Sequence, residues 1–519
     1  MSMNLATRFA ETAARRPAKP AVFDDAGAHP YAEILAAALA TAACVRAATD
    51  RPHVGILAPT SAAFPIAYFG VLLADRAAVP LNFLLDPPTL GLIARDAGLD
   101  AVVASRAFEK LVQALGAKAI YVEDVALALQ EPVAHEPVAG ATGDIRASPV
   151  APATGSCATG SCAANSGAAQ RLSRGADDAA TILYTSGTTG VPKGVVLTHR
   201  NLIRNVEASN RHLALSEENV FLGVLPFFHA FGITTSMLLP FLLGCSTVCV
   251  ARFSPQKVLE GIARHRVTIA FAVSSIYRML IRAGRPAGLD LGALKLPIAG
   301  GEALGADLSA KFEETFGVPL LEGYGMTEAA PVVATNVPGR HRPGSVGKVL
   351  PWAEARIVDD RDAPLAAGAE GELHLRGECV TPGYHNRPEE SAAAFAAGGW
   401  LRTGDLARLD ADGYLWITGR KKDLIISGGE NISPNEIEAA LHQHPAVAEA
   451  AVIGIPDESR GEVPKAFVVL REGAAASAAD LSAYLRDRLP RFKIPAAWEF
   501  RAELPHSTTG KVLKRELRK

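Results

Sequence analysis

Apolar residues recur along this chain in two alternating rhythms, and their order predicts its architecture. Leu5, Phe9 and Ala13 fall at helical spacing within residues 4–16, and Pro17 ends the run. An alanine-rich helix is expected at 32–48, a strand at Val54-Gly55-Ile56-Leu57 and a helix at 62–74. The sequence then repeats the theme with Ala78-Val79-Pro80-Leu81, a helix near 88–97 and a strand at Ala101-Val102-Val103. Strands alternating with helices imply a largely parallel sheet covered on both faces. Residues 133–178 lose both periods. They are rich in Ala, Pro, Gly and Ser, contain the near-repeat ATGSC-ATGSC at 153–162, and read as a flexible surface linker.

Beyond that linker the strand pattern returns at Ile182-Leu183-Tyr184 and again from Val195 to Leu197, followed by a helix at about 199–213. Further strands are expected near 220–225, 246–251, 268–273, 295–299 and 318–321. Residues 233–250 are apolar enough to raise a membrane span. Pro226, Pro240, Gly223, Gly232, Gly244 and repeated Thr/Ser argue instead for a buried helix followed by a strand. Gly371 to Arg376 alternates as a half-exposed strand, pointing to a smaller β-rich portion of the large domain. Composition changes at 419–436. A helix from Glu436 to His444, strands at 448–454 and 465–470, a helix at 479–489 and a short strand near 496–500 then make a small separate domain. The expected fold class is α/β, a large N-terminal domain of layered α/β subdomains with a β-rich portion, plus a small mobile C-terminal α+β domain.

Composition adds mostly exclusions. A chain of 519 residues exceeds one ordinary core, and 49% apolar residues suffice for several. Lys+Arg 52 against Asp+Glu 54 gives a formal charge of −2 without long blocks of either sign, so no nucleic-acid groove is expected. The 6 cysteines show no disulfide framework, and Cys157 with Cys162 lacks the neighbouring ligands of a metal site. The start carries Glu11 and no apolar core segment, unlike a secretory signal, although its arginines leave organelle targeting open. A cytoplasmic location without a transmembrane span is the expectation; peripheral membrane contact and homo-oligomerisation stay open.

Chemistry concentrates in a few strings. Thr185-Ser186-Gly187-Thr188-Thr189-Gly190 is a loop of small hydroxylated residues and glycines, followed by Lys193. Its N–H groups and hydroxyls suit close approach to a polyanion, and Lys193 offers a point charge to phosphate. The spacing is not that of the common phosphate-binding P-loop. In 321–331 (LEGYGMTEAAP), Gly323 and Gly325 permit close backbone approach, Tyr324 can stack on a purine, and Thr327 can donate to a phosphate oxygen. Glu328 is a hard oxygen ligand suited to Mg²⁺. Asp405 can accept from two ribose hydroxyls, and Arg420 in GRKKD supplies a charged donor. SGGENISPNEIE (427–438) and LPHSTTGKVLKREL (504–517) complete the set.

Together these strings resemble the signature of the adenylate-forming (AMP-binding) enzymes, the superfamily of acyl-CoA synthetases, aryl-CoA ligases, luciferases and peptide-synthetase adenylation domains. The resemblance runs from the early helices through Lys511 and is weakest at 133–178; Val273-Ser274 also departs from the proline many relatives carry there. It implies a large domain at 1–419 binding ATP and the acid, a hinge at 420–422 centred on Lys422, and a small catalytic domain at 423–519. It further implies that the 185–193 loop closes over the ATP phosphates and that Lys511 contacts carboxylate and α-phosphate oxygens during adenylation. His229, in PFFHAFG, would lie beside the acyl-adenylate, and Ser427, Gly428 and Gly429 would line the thiol tunnel after rotation about the hinge. ATP, Mg²⁺ and CoA are the implied cofactors.

The large domain most resembles fatty-acid-activating relatives, so a medium- or long-chain fatty acid joined to CoA is the first expectation. An acyl-carrier protein as acceptor, or an aryl or short-chain acid as substrate, is the alternative. Gly300, Gly301, Gly323 and Gly325 lack side chains that would block an acyl pocket. The stretch after His229 has no acidic residue to bind an amino group, which disfavours an amino acid. The intact set Lys193, Thr327, Glu328, Asp405, Arg420 and Lys511 disfavours an inactive scaffold.

Overall fold

The computed structural model describes residues 3–130, 172–185, 192–428, 430–506 and 512–518. The first helix runs Leu5–Arg15; the Asn4 side chain caps it by accepting from the Ala6 and Thr7 N–H groups, and Leu5, Phe9 and Ala13 are buried. A hairpin follows, Pro20–Asp24 with Gly27–Pro30, that hydrophobic periodicity does not announce. Its strands are too short for a repeat to show. The long helix Tyr31–Ala48 packs on Ala63–Leu73 where Gly70 meets Thr41: a Cβ at Gly70 would stand 2.6 Å from Thr41 Cγ2. By length and composition this long helix is apolar enough to cross a membrane; here Ile34, Ala38, Ala42 and Val45 are buried in the core.

Two sheets carry the large domain. The six-stranded sheet has the spatial order Lys118–Tyr121, Ala101–Ala104, His53–Leu57, Ala77–Pro80, Ala179–Thr185, Lys193–Thr198. Its strands are parallel except the last, which forms an antiparallel hairpin with Ala179–Thr185. Residues 186–191 thus lie in sequence between two paired strands. The nine-stranded sheet runs from Lys348–Val349 through Val332–Thr335, Leu321–Gly325, Leu296–Ala299, Ile269–Ala272, Val220–Gly223 and Ser246–Cys249 to the N-terminal hairpin. The apolar 233–250 segment is a buried helix with a π turn at Thr234–Leu238, then the strand Ser246–Cys249.

Three expectations need correction. The strand placed near 318–321 is Leu321–Gly325, so the Gly-Tyr-Gly string is itself a strand. Of the linker expected at 133–178, residues 133–171 lie outside the described residues. Its last part is tied to the body: Arg174 donates to the Asp75 and Ala179 carbonyls, and the Ser173 side chain bonds Asp75. Gly371 to Arg376 lies within Glu370–Gly377, but Glu372 and His374 are as buried as Leu373 and Leu375. Polar partners make the burial of Glu372 tolerable: it accepts from Lys421 Nζ at 3.1 Å and from the Gly404 N–H at 3.3 Å.

The β-rich portion orders Ala353–Val358, Glu370–Gly377, Trp400–Leu409 and Phe395–Ala396, with Leu415–Arg420 also on Trp400–Leu409. Beyond it stands a separate sheet of Glu430–Ile432, Ile425–Ser427, Gly461–Leu470, Val447–Asp457 and Ala497–Phe500. Helices Pro434–His442 and Ala478–Arg486 cover it through Ile437, Leu441, Leu481 and Leu485, which form their own core with Val452 and Val468.

His29, on the N-terminal hairpin, bridges Asp24 at 3.0 Å and Glu33 at 2.8 Å. The hydrogen bond to Asp24 outweighs desolvation and, with Glu33, raises its pKa to about 9. A raised histidine stabilises fully below its ordinary value near 6.5, and the contribution disappears as pH climbs through about 9. His29→Gln is therefore expected to cost about 1–2 kcal/mol at pH 6, allowing for screening at exposed Glu33, and almost nothing at pH 10. Urea unfolding of parent and variant at the two pH values checks this; equal losses at both would refute it.

Candidate active site

The carboxyl ends of the central parallel strands are where open α/β sheets present ligand crevices, and the sequence-selected residues gather there. Tyr324 projects from Leu321–Gly325, while Asp405 on Trp400–Leu409 sits in direct register with Arg420 at the end of Leu415–Arg420. The Tyr324 hydroxyl donates to Asp405 Oδ2, and Arg420 Nε donates to Asp405 Oδ1 at 3.0 Å. Asp405 is 4% exposed, whereas the Arg420 side chain remains 48% exposed. Burial and then the Asp405 charge push the Tyr324 phenol upward, so it stays a neutral donor. Burial opposes the Arg420 charge, and Asp405, Tyr324 and Asp423 together more than restore it.

A second group lies one turn further. Thr327 and Glu328 open the short helical turn Thr327–Ala329. Glu328 Oε1 accepts from the Tyr384 hydroxyl at 3.1 Å, and the Glu328 carbonyl accepts from the Thr381 N–H at 2.8 Å. Desolvation raises the Glu328 carboxyl above its ordinary range, against the Tyr384 bond. The 381–385 segment is laid along the Ala179–Thr185/Lys193–Thr198 hairpin: His385 N–H donates to the Gly194 carbonyl at 2.7 Å and Val196 N–H to the Gly383 carbonyl at 3.1 Å. Lys193 pairs across that hairpin with Thr185, and its ammonium stands 5.7 Å from the Tyr384 ring centre and in an ion pair with Glu390. Tyr384 thereby stands between Glu328 and Lys193. Nothing in the sequence string TPGYHN marks it as a site residue; its neighbours are far away in sequence.

His229 immediately precedes the helical turn Ala230–Ile233. Two residues on, the Phe231 ring covers Gly300: a Cβ there would meet Phe231 Cζ at 3.0 Å and the Gly323 carbonyl at 3.5 Å. The His229 segment is thus adjacent to the Tyr324 strand. The glycines divide in role. A Cβ at Gly325 would lie 2.3 Å from the Pro331 carbonyl, and one at Gly323 would press on Thr335 and Ala334, so the neighbouring antiparallel strand accounts for both. Gly301, with φ +87°, has Val273 Cγ1 at 3.6 Å as the nearest neighbour and is the glycine that leaves space.

The remaining candidates lie toward the small domain. Lys422 belongs to the turn Lys421–Asp423 between the β-rich sheet and the last sheet, and Lys421 beside it is anchored to Asp360 at 3.0 Å and Glu372 at 3.1 Å. Ser427 is buried at the end of Ile425–Ser427, and Gly428 takes φ +59° at the hairpin tip, its N–H donating to the Arg460 carbonyl. Ser186, Gly187, Thr188, Thr189, Gly190, Gly429 and Lys511 lie outside the described residues. Among the described residues no group of three or more His, Cys, Asp or Glu is assembled for a metal. Glu328 supplies the kind of single hard carboxylate with which Mg²⁺ is shared between protein and nucleotide phosphates.

Comparison with known proteins identifies the family. Residues 9–385 match the AMP-binding enzyme family, and 436–511 match the AMP-binding enzyme C-terminal domain. Feruloyl-CoA synthase of Amycolatopsis sp is 34% identical over 493 residues, 94% of this chain and 93% of that protein. Long-chain-fatty-acid–CoA ligase of Bacillus subtilis is 42% identical over 344 residues, 66% of this chain and 61% of that protein. MatB from Rhodopseudomonas palustris with ATP bound superposes with a TM-score of 0.87 at 30% identity, covering 100% of this chain and 98% of that one. The TM-score to the same enzyme without nucleotide is 0.74. The chain belongs to the AMP-binding enzyme family.

Proposed function

We propose that this chain is an ATP-dependent acid–thiol ligase that converts an aryl or short-chain carboxylic acid to its acyl-AMP, releases pyrophosphate and passes the acyl group to CoA. The observation that carries it is the meeting of Tyr324–Asp405–Arg420 with Glu328–Tyr384–Lys193 at the strand ends. Asp405, braced by Arg420 and Tyr324, would accept from the ribose hydroxyls; Lys193 and Thr327 would hold the phosphates, and Glu328 would ligate Mg²⁺. Mg²⁺ supplies charge neutralisation for the departing pyrophosphate. His229 and Phe231 place the acid beside the strand that holds Tyr324, and Lys511 would arrive from the 423–519 domain about Lys422. The better superposition on the ATP-bound relative supports an arrangement suited to adenylation.

The fatty-acid expectation gives way here. The long-chain ligase of Bacillus subtilis matches 66% of the chain, whereas the feruloyl-CoA synthase matches 94%. The Phe231 ring over Gly300, next to open Gly301, also suits a flat acid. Pyrophosphate release with ATP, Mg²⁺ and a panel of benzoates, cinnamates, short mono- and dicarboxylates and fatty acids tests the reading, with product mass measured in CoA or acyl-carrier protein. An aryl or short-chain acid should exceed any fatty acid in kcat/KM by about tenfold or more. The reverse ranking would restore the fatty-acid reading, and no release with any acid would end the ligase reading.

Tyr384→Phe keeps the ring beside Lys193 and removes the donor to Glu328. The Mg²⁺ concentration for half-maximal activity is expected to rise about tenfold, with the KM of the acid unchanged. An unchanged Mg²⁺ requirement would show that the 3.1 Å bond does not orient the carboxylate.

A further inference from the structure

The cation offered to the nucleotide phosphates already has an owner. Glu390, on the short helix Pro388–Ala393, forms an ion pair with Lys193; the two side chains are 39% and 23% exposed. That helix is fastened to the site: Ser391 Oγ accepts from the Tyr384 N–H at 2.9 Å and donates to the Arg387 carbonyl at 2.6 Å. A Cβ at Gly383 would stand 2.7 Å from Ser391 Oγ, so glycine permits the close approach that sets Glu390 over Lys193. The other Glu390 oxygen lies 3.6 Å from Arg387 Nε. Arg387 is in turn 3.5 Å from Asp96, which accepts from the Tyr184 hydroxyl at 2.6 Å. A second cation therefore stands ready to keep the Glu390 carboxylate if Lys193 leaves it.

Resting on the reading of Lys193 as a phosphate-binding group, we propose that Glu390 is a positioning residue, the displaceable counter-ion that holds the Lys193 ammonium until a nucleotide polyphosphate takes it, and reclaims it when pyrophosphate leaves. The carboxylate competes with the β- and γ-phosphates for one ammonium. It weakens the binding of ATP and pyrophosphate alike and favours product release. AMP lacks those phosphates and lies outside the competition.

The test is calorimetric titration of the full chain with MgATP, magnesium pyrophosphate and AMP, in the parent, Glu390→Gln, Glu390→Asp, Lys193→Ala and the Lys193→Ala/Glu390→Gln double variant. Glu390→Gln should bind MgATP and pyrophosphate about two- to fivefold more tightly, the scale of a partly exposed ion pair, and AMP as the parent does. Glu390→Asp, which retains the charge, should return toward the parent, and in the Lys193→Ala background the gain should vanish. The proposal falls if Glu390→Gln fails to tighten MgATP, if AMP tightens equally, or if the gain survives without Lys193. A parent that binds MgATP while Glu390→Gln matches it sinks this inference alone. A parent that binds no nucleotide sinks the ligase reading with it.

Discussion

Lys511→Ala is expected to slow acyl-adenylate formation by about two to three orders of magnitude, the cost of removing one preorganised charge donor from a developing transition state. Thioester formation from supplied acyl-AMP should stay within about threefold of the parent. The asymmetry follows from charge. Attack of a carboxylate on the α-phosphorus brings an anion to a polyanion, and negative charge accumulates on the non-bridging oxygens as pyrophosphate departs. On the proposed reading Lys193 and Glu328 serve the phosphate end, and Arg420 is committed to Asp405. A further cation is needed where the acid meets the α-phosphate, and the resemblance assigns Lys511 there. In the second half-reaction AMP is the leaving group, and in the family that lysine has been withdrawn by rotation about the hinge. ATP–pyrophosphate exchange and thioester formation, measured separately, give the two rates. Equal loss in both would refute the division of labour.

Much of this fold was legible because its elements obey local rules. Leu5, Phe9 and Ala13 mark their helix unaided, and in the small domain Ile437 and Leu441 mark another, with Pro445 after it. The hairpin at 20–30 escaped because its strands are too short to show a period, and the neighbour of its first strand, Ser246–Cys249, lies more than two hundred positions away. Glu372 and His374 misled for a related reason. Their alternation with leucines reads as a wet face, yet Lys421 crosses from the turn before the small domain to make burial affordable for Glu372. The family was legible from strings whose glycines and hydroxyls suit backbone approach to phosphate. Their mutual geometry was not, and so Tyr384 and Glu390 went unnoticed: each acts through partners on other elements. The glycines show the limit most plainly. Gly325 is required by the Pro331 carbonyl just before the next strand, which no reading of LEGYG in isolation could reveal.

Asp405→Asn should lower kcat/KM for ATP by about a hundredfold while leaving the KM of the acid near its parent value. A carboxylate accepts at both oxygens, with lone pairs enough to take ribose hydroxyls beside its bonds to Arg420 and Tyr324. An amide presents one acceptor and one donor. If its NH₂ faces Arg420, two donors oppose each other; if it faces Tyr324, the phenol must turn from donor to acceptor, and in either orientation the guanidinium loses its charged partner. Hydrogen bonds to a charged acceptor contribute about 1.5–3 kcal/mol each, so losing one or two spans the stated range. Folding should suffer less, because Arg420 is 48% exposed and water can solvate it. The decisive readout is discrimination between ATP and its 2′,3′-dideoxy analogue. The parent should prefer ATP strongly, since only ATP has hydroxyls to donate, and in Asp405→Asn the ratio should collapse toward unity. A variant that loses activity yet keeps the parent's preference would place the ribose elsewhere. Asp405 would then be a brace for Tyr324 and Arg420, and the nucleotide would have to lie on the other side of the Leu321–Gly325 strand.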